Sequence, residues 1–94
     1  MKKIVIDDIN YELLENINDG FDEEKLKEIF TDYFYDYDYV LGDWSYNKLR
    51  LKGFCDKGNS LFNKINDIST KKEYIKNQCA YGCKYFVIKK CNNK

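Results

Sequence analysis

Along residues 48–52 charged and apolar side chains alternate without a break: Lys48, Leu49, Arg50, Leu51, Lys52. In an extended chain successive side chains point to opposite faces, so the pattern predicts a strand. Its two leucines should face inward and its three cations should stay in water. Residues 37–41 (Tyr-Asp-Tyr-Val-Leu) are rich in the aromatic and β-branched types that suit a pleated, half-buried surface, and predict a second strand. Between the two, Gly42-Asp43-Trp44-Ser45-Tyr46-Asn47 reads as a long loop with two large aromatic rings, making the pair a hairpin. A turn at residues 56–59, where Gly58 can supply a positive φ, leads to an expected third strand at residues 60–65. The three would form an antiparallel meander at the centre of the fold.

The flanking segments follow the same logic. Residues 3–6 and 11–15 are β-prone, with Asp7-Asp8-Ile9-Asn10 as the turn of an N-terminal hairpin, and Asn18-Asp19-Gly20 marks a loop. A helix is predicted over residues 23–34. Asp22 is a suitable N-cap, Glu23 and Glu24 complement the positive end of the helix dipole, and Phe21 with Leu26 fits a hydrophobic staple. Leu26, Ile29, Phe30 and Tyr33 recur at spacings that form one apolar stripe. A second helix should start near Thr70, where Thr70 and Glu73 fit a capping box, with Tyr74, Ile75 and Cys79 as its apolar face and Gly82 as a stop. Residues 83–89 predict a last strand whose apolar run, residues 85–88, suits a central, doubly covered position. The fold class expected is α+β: a single compact domain over residues 1–94, mainly antiparallel sheet with two helices, in the order ββαβββαβ.

The 94 residues suffice for one modest core, and an apolar fraction of 44% with 17% aromatic residues argues against disorder. No run of apolar residues is long enough to span a membrane, and Lys2 and Lys3 are not followed by the apolar region of a signal peptide. Cytoplasmic location is the expectation. The formal net charge is zero, yet the charges are segregated: 13 acids and 4 bases through Asp43, then 3 acids and 12 bases. The two halves either neutralise each other in the folded domain or form separate faces, one attractive to polyanions such as RNA.

The run YDYVLGDWSYNKLRLKGF (residues 37–54) together with CAYGCKYFVI (residues 79–88) resembles the YutD-like family of small bacterial proteins, with a weaker echo over residues 11–30. The resemblance implies a compact α+β domain in the cytoplasm of low-GC Gram-positive bacteria or their relatives. The family is functionally uncharacterised, so it brings no catalytic residues to this chain. The tail beyond Lys90, including Cys91, falls outside the pattern.

Candidate chemistry is sparse. The chain has no histidine, which removes Ser–His and Cys–His nucleophile systems. Its five glycines are scattered, so no phosphate-cradling loop is present. Cys55, Cys79, Cys83 and Cys91 lack the paired spacing of a zinc knuckle; reduced thiols used in packing are expected. Arg50 is the only arginine among 16 basic residues, and its planar fork does what a lysine cannot. It either pairs with a carboxylate such as Asp43 or binds an anionic group of a partner. The binding surface expected is Asp43, Trp44, Tyr46, Lys48, Arg50 and Lys52, in a non-enzymatic module that takes a protein partner first and single-stranded RNA second. For RNA, cations would neutralise phosphates while Trp44 or Tyr46 stacks on bases. The alternative is a metal-dependent regulator or enzyme using Asp36, Asp38 and Asp43 on a hard cation such as Mg²⁺. No cofactor is expected, and the letters do not set the oligomeric state.

Overall fold

The structure, a computed structural model, describes residues 2–78 and 83–91. It confirms the α+β class: one antiparallel sheet of five strands with two α-helices. The strands are β1 (Lys3–Ile6), β2 (Ile9–Ile17), β3 (Tyr39–Ser45), β4 (Lys48–Phe54) and β5 (Tyr85–Lys90). The helices are α1 (Glu23–Ile29) and α2 (Lys71–Gln78). In space the order is β1-β2-β5-β3-β4, and every neighbouring pair is antiparallel. The last strand is therefore the middle of the sheet. Phe86, Val87 and Ile88 are all buried, as a run apolar on both faces requires.

The sheet carries one core on each face. On one side Ile4, Ile6, Tyr11, Val40, Leu49, Phe86 and Ile88 pack with Leu26 of α1 and with Phe30. On the other, Leu41, Phe54 and Val87 pack with Tyr74 and Ile75 of α2. Burying twelve apolar side chains in these two layers, counted among the described residues, is what holds so short a chain together. An ion pair between Lys71 and Glu15 pins the start of α2 to β2.

Several boundaries differ from those expected, each for a local reason. The loop foreseen at residues 42–47 is a two-residue turn: Tyr46 and Asn47 both take positive φ, 52° and 64°, and Ser45 pairs with Lys48. Such left-handed pairs match the twist of the flanking strands. Trp44 therefore lies within β3, away from any loop tip. The N-terminal hairpin closes in the same way at Asp7 and Asp8, so Ile9 and Asn10 belong to β2.

Helix α1 begins as expected, with the Asp22 side chain accepting from the Lys25 amide at 3.0 Å, but it stops at Ile29. Phe30 turns extended and sets its ring edge-on to Tyr11 at 5.7 Å, and a 3-10 turn (Asp32–Phe34) follows. Core packing outweighs the helical periodicity there. The second helix is entered through a 3-10 turn (Ile68–Thr70) capped by Asp67, which accepts from the Ser69 amide at 2.9 Å. Thr70 instead donates to the Asp67 carbonyl at 2.6 Å, so it is not the cap.

The third strand of the meander, residues 60–65, is replaced by turns. Side chains of Asn59, Asn63 and Asn66 hold the backbone there, Asn59 Oδ1 accepting from Leu61 and Asn63 Oδ1 from Ile65, each at 2.8 Å. What survives is a single parallel bridge of Asp67 to Cys55. Cys55 is buried and free, as a packing cysteine should be, whereas Cys83 is disulfide-bonded, against the expectation of reduced thiols. Cys79 and the stop expected at Gly82 lie outside the described residues.

Candidate functional site

Strands β3 and β4 place the candidate residues, and their alternation decides which side chains meet. Arg50 and Lys52 project toward the α2 face with Asp43, while Leu49 and Leu51 pack on the α1 face. Leu49 is buried, Leu51 is half-buried, and Lys48 and Arg50 are exposed, as the alternation predicts, but the third cation, Lys52, is half-buried and not fully in water.

Asp43 is 1% exposed, and its Oδ2 accepts from Arg50 Nη2 at 2.6 Å. The two stand directly opposite each other across the hairpin. The carboxylate holds the guanidinium pKa above its ordinary value. A buried carboxylate needs such a partner, because an uncompensated charge is costly away from water. The arginine thus has a structural duty, with its outer part, 44% exposed, reaching solvent. Lys52 lies 5.1 Å from the Phe54 ring and 5.5 Å from the Tyr74 ring, covering the α2-side core with its cation.

Trp44 sits on the opposite side of the sheet from these cations. Its Nε1 donates to the Gly20 carbonyl at 2.7 Å, and Lys84 rides 5.1 Å from its ring. Gly20 must be glycine for this: a Cβ there would meet the Tyr85 backbone nitrogen at 2.5 Å. The expected grouping of Trp44 with Lys48, Arg50 and Lys52 therefore splits between two faces. Tyr46 is different. It is 96% exposed at the hairpin tip, and no ring or hydrogen-bond partner holds it among the described residues.

Asp36 and Asp38 do not meet Asp43. They line a cavity of about 390 Å³ with Asp56, Asn59, Lys89 and Lys90. Asp38 Oδ2 accepts from the Asp56 amide at 2.8 Å and from Asn59 Nδ2 at 3.1 Å, so it organises the turn after β4. Among the described residues no group of three His, Cys, Asp or Glu side chains is placed to hold a metal ion. The three-aspartate arrangement is corrected accordingly, since Asp43 is committed to Arg50.

A feature not foreseen lies beside the outer edge of β4. Tyr33, Phe34, Tyr37, Leu51, Gly53, Asn63 and Ile65 line a cavity of about 260 Å³. Tyr37 lies against Gly53 so closely that a Cβ would meet its ring at 2.4 Å. Its hydroxyl donates to that of Tyr33 at 3.2 Å, which with burial pushes the Tyr37 pKa up to about 12. Tyr33 and Ile65 are 65% and 76% exposed. The sequence signal was the spacing of four between the two tyrosines, masked by reading residues 23–34 as one helix.

A family model described as "Putative antitoxin YutD-like" matches residues 5–89. The chain belongs to the YutD-like family. It is 46% identical over 87 residues to "Putative antitoxin YutD" of Bacillus subtilis (strain 168), covering 93% of this chain and 96% of that protein. The solution NMR structure of yutD from B. subtilis superposes with a TM-score of 0.83 at 43% identity, over 99% of this chain and 84% of that one. The family resemblance read from residues 37–54 and 79–88 is thus established over nearly the whole domain. Among the described residues of this YutD-like chain, no helix is long and apolar enough to cross a membrane.

Proposed function

We propose that this YutD-like chain is a small, non-enzymatic cytoplasmic module that binds a protein partner through the β3–β4 hairpin, in the manner that the name of its B. subtilis relative implies. The observation that carries the reading is Tyr46. The first position of this turn type favours Asn, Asp or Gly, because a side chain at positive φ is strained. An exposed tyrosine held there at φ 52° contributes nothing visible to folding. Positions that break a local rule without a structural return are where contact residues are expected. Tyrosine supplies large, rigid contact area, and Lys48 stands directly beyond the turn.

RNA binding is the weaker reading. Trp44 is occupied by Gly20 and Lys84 and lies across the sheet from Arg50 and Lys52, so stacking on Trp44 and phosphate contacts by the β4 cations do not share a face. The metal-dependent alternative lacks an assembled triad of aspartates.

Capture with the tagged chain, with and without RNase, tests the reading, followed by co-expression of each captured protein with wild-type or Tyr46→Ser chain. The expected result is a protein whose capture resists RNase, which arrests growth alone, and whose toxicity the wild-type chain relieves better than the variant. Capture that RNase abolishes, or equal relief by both chains, contradicts it.

A further inference from the structure

The hydrogen-bonding parity of β4 fixes which backbone groups point away from the sheet. The Trp44 amide donates to the Lys84 carbonyl, so even-numbered residues of β3 bond toward β5 and odd-numbered ones toward β4. Their β4 partners are Lys48, Arg50, Lys52 and Phe54. Leu49, Leu51, Gly53 and Cys55 consequently present their N–H and C=O outward. At Cys55 those groups are used: its amide donates to Asn66 at 2.7 Å, and its carbonyl accepts from Ile68 at 3.1 Å. At Leu49 and Leu51 no backbone partner is found among the described residues, and β4 is an end strand of the sheet, whereas Gly53 is buried against Tyr37 and marks where the open edge stops.

Building on the protein-binding reading above, we propose that this open edge takes up an extended segment of the partner, adding it as a further strand, and that the segment alternates acidic and apolar residues. Strand addition supplies affinity through main-chain bonds and specificity through alternate side chains. Acidic residues of the segment would stand beside Lys48 and Lys52 on the α2 face. Its apolar residues would lie beside Leu49 and Leu51, with one entering the cavity between Tyr33, Tyr37 and Ile65.

Charge complementarity selects this occupant over a second copy of the chain. Antiparallel pairing of two β4 edges about Arg50 would set Lys48 against Lys52 and Arg50 against Arg50. Like charges directly opposite each other oppose pairing, so the edge is guarded against itself and open to an acidic strand.

The test titrates the ¹⁵N-labelled chain with a synthetic peptide alternating glutamate and leucine, and with its lysine–leucine counterpart. The glutamate peptide should shift the amides of Leu49 and Leu51 most. The double variant Lys48→Glu/Lys52→Glu should bind it at least about tenfold more weakly and should prefer the lysine peptide. Equal binding of both peptides by the wild-type chain, or shifts centred elsewhere, overturns the edge assignment. So does a captured partner protein that binds the double variant as well as wild type; that result leaves protein binding intact, whereas RNase-sensitive capture removes protein binding itself.

Discussion

The two hairpins of this protein share a geometry and differ in what fills it. Both close through two residues at positive φ, Asp7 and Asp8 in the first, Tyr46 and Asn47 in the second. In the first, the turn residues are aspartates, types that tolerate that region, and Tyr35 donates to Asp7 Oδ2 at 2.7 Å. The outer strand there, β1, is four residues long, and its inward side chains, Ile4 and Ile6, are buried. That end of the sheet is short and tied down. In the second hairpin a bulky residue occupies the strained position in full solvent, and the outer strand is seven residues long with cations along one face. Equal backbones thus separate a turn chosen for folding from one that tolerates a cost to display a ring.

The largest effect expected tests the strand beyond that second turn. Arg50→Ala should destabilise the domain by about 2 kcal/mol, because the buried Asp43 carboxylate loses a charged hydrogen bond. Lys3→Ala on the other edge strand should stay within about 0.5 kcal/mol. Urea denaturation of both variants checks this, and equal losses would erase the contrast.

Next is Tyr11, whose hydroxyl is buried beside the first hairpin with no hydrogen-bond partner among the described residues. Removing an unsatisfied buried group should help, so Tyr11→Phe should raise stability by about 1 kcal/mol at neutral pH. Burial, with Tyr35 and Asp7 nearby, pushes the Tyr11 pKa up to about 12. A phenol that holds its proton longer when folded favours the folded state below the unfolded value of 10.0, and that contribution is lost as pH rises from there toward 12. The wild-type chain should lose stability across that window more steeply than Tyr11→Phe, as thermal melts at stepped pH would show.

Smaller again is the gain at the strained turn. Tyr46→Asn should stabilise by about 0.5–1 kcal/mol while weakening partner capture, the opposite signs that mark a contact residue. Smallest is Asp7→Asn: the new residue also suits that φ and its Oδ1 can still accept from Tyr35, so stability in urea should change by no more than about 0.5 kcal/mol.

How much of this was written in the letters differs by element. The alternation at residues 48–52 has period two and nothing competes with it, so β4 and its faces were legible. The run at residues 85–88 announced a central strand for the same reason. Residues 60–65 misled because Leu61, Phe62 and Ile65 look strand-like, whereas asparagine side chains seize the backbone locally. Trp44 was misplaced because Tyr-Asn is not a recognisable left-handed turn, so a tight hairpin read as a long loop. The commitment of Asp43 to Arg50 was one of two readings, and only the cross-strand register chose between them. The cavity at Tyr33, Tyr37 and Ile65 joins segments that sequence order keeps apart.

Amide hydrogen exchange along β4, read residue by residue, distinguishes an open outer edge from a covered one. Leu49 and Leu51 should exchange fast, Lys48, Arg50 and Lys52 slowly, and the glutamate–leucine peptide should selectively slow the first pair when it binds. Uniform protection along β4 in the unbound chain, or slowing of neither set on binding, would contradict the open edge.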